Sequence, residues 1–169
     1  MKTRTLLKTV FIAATACVLC FIFIMSSKPA DESGALSLSI DYNLCRLFRP
    51  DFDSLPEEEQ FKIAAKLDHI VRKTAHFLEF SVLGALLFAD FALFGIKRGF
   101  CILFAFFSGA AAAVSDEIHQ AFVPGRSCEA ADMFIDSGGV LSGCLIAFLI
   151  FLLIISVKKK KEQKASPSS

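Results

Sequence analysis

Apolar residues in this chain gather into runs, and the polar residues fall between them. The first run, residues 10–25, follows Lys2, Arg4 and Lys8. Two more, at 75–95 and 100–115, are split by the basic loop Ile96-Lys97-Arg98-Gly99. The last ends at Val157, before Lys158 to Lys161. Runs of this length match the roughly 20 apolar residues a helix needs to cross a bilayer core. The pattern predicts an all-α fold: a polytopic membrane bundle of four transmembrane helices, with one extracytoplasmic amphipathic helix. The expected organisation is an N-terminal transmembrane helix (1–27), an extracytoplasmic loop (28–73), a three-helix membrane core (74–157) and a basic tail (158–169).

The segment 28–73 is the one long polar stretch. Pro29, Asp31, Ser33 and Gly34 read as a loop, and residues 42–52 mix Leu44, Leu47, Phe48 and Phe52 with Arg46 and Arg49 in the manner of an interface segment. Ser54-Leu55-Pro56-Glu57 has capping-box spacing, with Ser54 as the expected N-cap. Beyond it, Phe61, Ala64, Leu67 or Asp68, and Val71 recur at helical spacing, which predicts the amphipathic helix. Pro124-Gly125 predicts a type II turn after the third span, and Ser127 is the expected cap of the fourth helix, with Glu129 and Asp132 near its positive end.

Composition agrees with a membrane location. Of 169 residues, 54% are hydrophobic, 19 are Phe and none is Trp, and mean hydropathy is +0.58. Soluble domains lie nearer 45–50% apolar. Net charge is only +1, but the cations cluster at the span ends. Nothing resembles a nucleic-acid-reading element, and no cofactor is called for. Residues 10–25 can be read as a secretory signal peptide, but Ser26-Ser27-Lys28-Pro29-Ala30 makes a poor cleavage site, so an uncleaved helix is expected. The positive-inside rule puts both termini in the cytoplasm. Four of the six Cys lie in apolar runs; Cys45 and Cys128 lie in polar segments, where they either form a disulfide or stay free.

The chemistry is concentrated at span ends. His76 and Glu79 open the second span, Asp116, Glu117, His119 and Gln120 close the third, and Arg126, Asp132 and Asp136 precede or open the fourth. Four-span topology brings all of them to one level, the outer membrane face. At 100° per residue, Glu79 and Asp90 fall about 20° apart, with His76 within about 60° of Glu79. Such a stripe should face other helices rather than lipid. Asp90 lies deeper and is expected to snorkel towards the inner face. Gly139 and Gly143 have the GxxxG spacing of close helix contacts and share a side with Asp132 and Asp136.

Two blocks carry a family resemblance: Arg72-Lys73-x-x-His76-x-x-Glu79-Phe80-x-x-x-Gly84, and Ser115-Asp116-Glu117-x-His119-Gln120-x-Phe122-Val123-Pro124-Gly125-Arg126, continued by Asp132, Asp136, Gly139 and Gly143. With these the sequence resembles the VanZ-like family over about residues 60–155, leaving span one and the polar loop outside. The resemblance implies a bacterial cell envelope. The family's namesake is associated with resistance to the glycopeptide teicoplanin.

Two functional readings follow. In the first, the outer-face pocket binds an envelope ligand: a membrane lipid headgroup, a lipid-linked precursor or a glycopeptide. Arg126, Arg72 and Lys73 would engage an anion, because guanidinium groups suit phosphate and carboxylate, with Glu117, Gln120, Asp132 and Asp136 completing the pocket. In the second, the protein is an enzyme acting on such a lipid, with His76 or His119 as acid and base beside Glu79 and Asp116. His76, Glu79, Asp116 and His119 are also the candidates for a divalent metal. The bland alternative is an ion-pair network that fixes helix packing.

Overall fold

In a computed structural model that describes residues 2–165, the chain folds into five helices with no strand among the described residues. They are α1 (Lys2–Ser26), α2 (Ala30–Phe48), α3 (Glu57–Leu93), α4 (Arg98–Gln120) and α5 (Ala130–Ala165). Helices α1, α3, α4 and α5 are long and apolar enough to cross a membrane. At 1.5 Å per residue, the 37 residues of α3 span about 55 Å, well beyond the roughly 30 Å of a hydrocarbon core. The surplus at its N-terminal half pairs with α2.

The segment expected to be loop and interface strip is therefore mostly helix: Asp31 and Glu32 lie in the first turn of α2. The expected amphipathic helix leads into the second span without a break, its residues forming the first half of α3. Ser54 does not cap it. Its hydroxyl donates to the Asp51 carbonyl at 2.6 Å inside a 3-10 turn (Phe52–Ser54), and Pro56 takes the N-cap position. Glu57, Glu58 and Glu59 still place negative charge at the positive end of α3. Phe52 is fully buried at this turn and meets Tyr42 edge-on at 5.6 Å. Helix α2 turns Ser37, Asp41 and Cys45 inward, a row of three small or polar side chains spaced four residues apart.

The tightest helix pair is α3 with α5, and glycine makes it possible. A methyl group on Gly84 would overlap the Val140 carbonyl; on Gly139 it would overlap that of Phe77, and on Gly143 that of Ser81. The backbones touch where the GxxxG spacing predicted close approach. Around this seam Phe80, Leu83, Phe88, Val140 and Cys144 form the core, joined by Ile22 from α1 and by Cys101, Ala105 and Ala113 from α4. Many large apolar side chains on the outer surface stay exposed, including Leu153 and Phe107, as lipid-facing residues would.

The basic groups that open α1 and α4 collect at one end of the bundle. Lys8 lies over the Phe94 ring at 4.3 Å, Arg4 reaches the Leu93 carbonyl at 3.5 Å, and Arg98 lies over Phe151 at 5.2 Å. At the other end, the junction between α1 and α2 docks on the turn between α4 and α5. The Ala30 N–H donates to the Pro124 carbonyl at 3.2 Å, and Gly125 adopts φ +75°, as a type II turn requires.

Candidate functional site

A cleft of about 360 Å³ opens at this second end. Helix α3 supplies Arg72, Lys73, His76 and Glu79, α4 supplies Glu117 and Gln120, the following turn supplies Arg126, and α5 supplies Asp132 and Asp136. The span-end residues expected at one level thus converge, except His119; Asp116 does not line the cleft itself but lies within 4.8 Å of His76 and Asp136. Met25, Ile40, Val71 and Ile135 add apolar wall.

A hydrogen-bonded chain holds the wall together. Ser26 Oγ and Gln120 Nε2 each donate to Asp116 Oδ2 at 2.8 Å. Arg126 donates from Nη1 to Gln120 Oε1 and from Nε to the Lys28 carbonyl, both at 3.0 Å. Burial, and then the nearby Arg72 guanidinium, pull Arg126 below the ordinary guanidinium range, while Asp116 and Glu117 oppose the shift. Lys73 Nζ reaches Asp132 at 2.5 Å and Glu129 at 3.7 Å, and Arg72 pairs with Asp68 at 2.8 Å.

Ser127 was the expected cap of the last helix, but Glu117 does that work. Its Oε2 accepts the Glu129 N–H at 3.0 Å, while the Glu129 carbonyl accepts the Asp132 and Met133 N–H groups. The Ser127 hydroxyl turns instead to the Glu129 carboxylate at 3.3 Å. A carboxylate on one helix thereby fixes the start of the next.

At the inner wall, His76, Asp116 and Asp136 each offer a ligand atom, and these atoms lie within 4.8 Å of one another. His76 Nδ1 stands 3.9 Å from Asp136 Oδ2, too far for a hydrogen bond. Neither Asp136 oxygen has a hydrogen-bond partner, although Asp136 is only 1% exposed.

The expected quartet of His76, Glu79, Asp116 and His119 is thus divided. His119 stacks on Phe23 with centroids 4.4 Å apart, and its Nε2 meets Ser27 Oγ at 3.0 Å. It ties α4 to α1 and lines a second, mostly apolar cavity between those helices, which Asp116 also borders. Among the described residues, His119 therefore lies outside the group whose atoms could hold a metal ion, and Asp136 stands there instead; Glu79 is half-buried on the cleft wall. Asp90 does not snorkel: the Thr15 hydroxyl donates to its Oδ2 at 2.7 Å across to α1. Cys45 is buried, Cys128 is exposed and both are free, so the disulfide alternative fails.

Sequence reasoning missed Ser26, Lys28 and Asp68 as parts of this end of the molecule. Ser26 and Lys28 carried a usable signal, because they are polar groups closing the first span at the level where the other spans place theirs.

Four spanning-length helices that bury a polar cleft at one end define a polytopic helical membrane protein. The chain belongs to the VanZ-like family: the VanZ/LLP1 family model matches residues 11–153. The match takes in most of α1, so span one is part of the family's extent, in keeping with the bond from Ser26 to Asp116. No curated protein and no solved structure matches the chain.

Proposed function

We propose that this VanZ-like protein binds the anionic headgroup of a cell-envelope lipid or lipid-linked precursor in the cleft. It would sit in a bacterial cell membrane with both termini cytoplasmic and the cleft at the outer face. Clustering of Lys2, Arg4, Lys8, Lys97, Arg98 and Lys158 to Lys161 around the opposite end supports that orientation. The observation that carries the reading is Arg126. It is a half-buried cation that burial and Arg72 disfavour, on a cleft that also presents Arg72 and Lys73 beside an apolar wall. A phosphate there would relieve the repulsion between the guanidinium groups and accept charge-assisted hydrogen bonds, and acyl chains would lie along the apolar side. Through the family's namesake, the same reading extends to altered teicoplanin susceptibility, with the glycopeptide as a further ligand of the outer face.

The test is titration of the detergent-purified protein with phosphatidylglycerol and with uncharged diacylglycerol, followed by native mass spectrometry. Preferential binding of the anionic lipid is expected. Hydrogen bonds to a charged group contribute about 1.5–3 kcal/mol, so Arg126→Ala should weaken binding by roughly 10- to 100-fold. Arg126→Lys keeps the charge and should lose less. Equal binding of both lipids, unchanged by Arg126→Ala, would overturn the reading. A reporter fused after the last residue should behave as cytoplasmic, and the opposite result would remove the outer-face assignment.

A second reading, an enzyme acting on the same lipid, is favoured by the imidazole of His76 lying among carboxylates at the cleft wall. It predicts turnover of the bound lipid that His76→Gln abolishes without loss of binding.

A further inference from the structure

Asp136 poses a problem that the headgroup reading does not solve. It is 1% exposed, and neither of its oxygens has a hydrogen-bond partner. Three of the cleft's cations are engaged elsewhere: Arg126 with the Lys28 carbonyl and Gln120, Lys73 with Asp132 and Glu129, and Arg72 with Asp68. A second carboxylate, Asp116, lies beside Asp136, and Glu79 and Glu117 also line this region. Buried carboxylates without a counter-charge cost several kcal/mol each. Nδ1 of His76 is likewise buried with no hydrogen-bond partner, and it faces Asp136 at 3.9 Å.

We propose that His76, Asp116 and Asp136 hold one divalent transition-metal ion, Mn²⁺ or Zn²⁺. Two donors bound to a common ion at roughly 2.0–2.2 Å lie about 3–4 Å apart. The separation of 3.9 Å between His76 and Asp136 falls in that range. All three ligand atoms lie within 4.8 Å of one another, a spread that closes with less than about an ångström of side-chain movement. One imidazole and two carboxylates select these ions over Ca²⁺, which prefers all-oxygen cages. Three protein ligands leave coordination positions open to a cleft that His76 and Asp136 both line.

The surroundings are arranged to support the ion. Asp116 receives its two hydrogen bonds, from Ser26 and Gln120, on Oδ2, which orients the carboxylate while those bonds leave Oδ1 unused. Gly139, one turn beyond Asp136 on α5, lets that helix touch the backbone of α3 at Phe77, next to His76. The ion would therefore cross-link α3, α4 and α5 at the one level where all three offer a ligand.

The experiment uses full-length protein in detergent, stripped with chelator and titrated with Mn²⁺ while free Mn²⁺ is followed by electron paramagnetic resonance. One bound Mn²⁺ per chain is expected, with nitrogen coupling from the His76 imidazole in the spin-echo spectrum and displacement by Zn²⁺. Asp136→Asn should weaken binding by about tenfold or more, the loss typical even of groups that only support a ligand. His76→Gln should remove the nitrogen coupling. Glu58→Gln, on the exposed first turn of α3, should bind as the parent does. Absence of stoichiometric Mn²⁺ or Zn²⁺ binding by the parent protein would overturn the proposal, whatever the variants do. So would binding that keeps its nitrogen coupling in His76→Gln. The titration contains no added lipid, so its failure leaves the headgroup reading standing.

Discussion

Gly139→Ala is the sharpest probe of how the fold sets the cleft. A methyl group at this position would overlap the Phe77 carbonyl oxygen, with the Phe77 carbonyl carbon at 3.1 Å and its Cα at 3.3 Å. The obstacle is backbone, so no rotamer change relieves it, and the α3–α5 seam must open at the level of His76 and Asp136. Overpacking of this kind costs about 1–3 kcal/mol. Against that, alanine in a helix gains about 0.5–1 kcal/mol over glycine. The neighbouring Gly138→Ala collects the same gain without the clash, because its new methyl meets only Phe77 Cε2 at an ordinary 3.8 Å. The two alanine variants should therefore differ by about 1–3 kcal/mol. For a chain of this size that is roughly 2–12 °C in Tm. The chain has no Trp, so intrinsic fluorescence is a poor reporter. A thiol-reactive dye serves better, because Cys144 is buried against the Gly84 carbonyl at 3.4 Å on the same seam. Exposed Cys17, Cys20 and Cys128 would first be replaced by alanine. Gly139→Ala should melt below the parent and Gly138→Ala at or above it. Equal melting of the two variants would refute the close packing on which the geometry of the cleft rests.

Two further outcomes test the flanking contacts. Asp41 is fully buried on α2; burial, and then the neighbouring Asp68 carboxylate, push its carboxyl up, while Arg72 opposes this. A carboxyl whose pKa is raised on folding binds more protons in the folded state, so stability should fall as pH rises from near 4 through the raised value. Asp41→Asn should flatten that dependence in a melting series across pH, and an unchanged slope would reject Asp41 as its source. Thr15→Val removes the hydroxyl that donates to Asp90, whose other oxygen is buried without a partner, so a loss of about 1–3 kcal/mol is expected. Thr15→Ser should restore most of it in the same melting assay.

Much of the architecture was legible because it follows from one-dimensional quantities. The lengths of the apolar runs set the four spanning helices. The position of each charge relative to a run end set its height, and so His76, Glu117, Gln120, Arg126 and Asp136 gather at one end. The Gly139 and Gly143 spacing marked the seam where helix backbones meet. Helix α2 stayed hidden because its buried row is Ser37, Asp41 and Cys45 rather than an apolar stripe, and its inward face is defined by Asp68 and Arg72 on another helix.

What only tertiary structure decided is how each helix is rotated about its own axis. His76 and His119 share a level, yet His119 turns to Phe23 and Ser27 on α1, while Asp136 takes the place expected for it beside His76 and Asp116. Run length and hydropathy determine where a helix begins, ends and lies in depth. They leave its azimuth to the packing of backbone on backbone at Gly84, Gly139 and Gly143, and that packing depends on residues more than fifty positions apart in the chain.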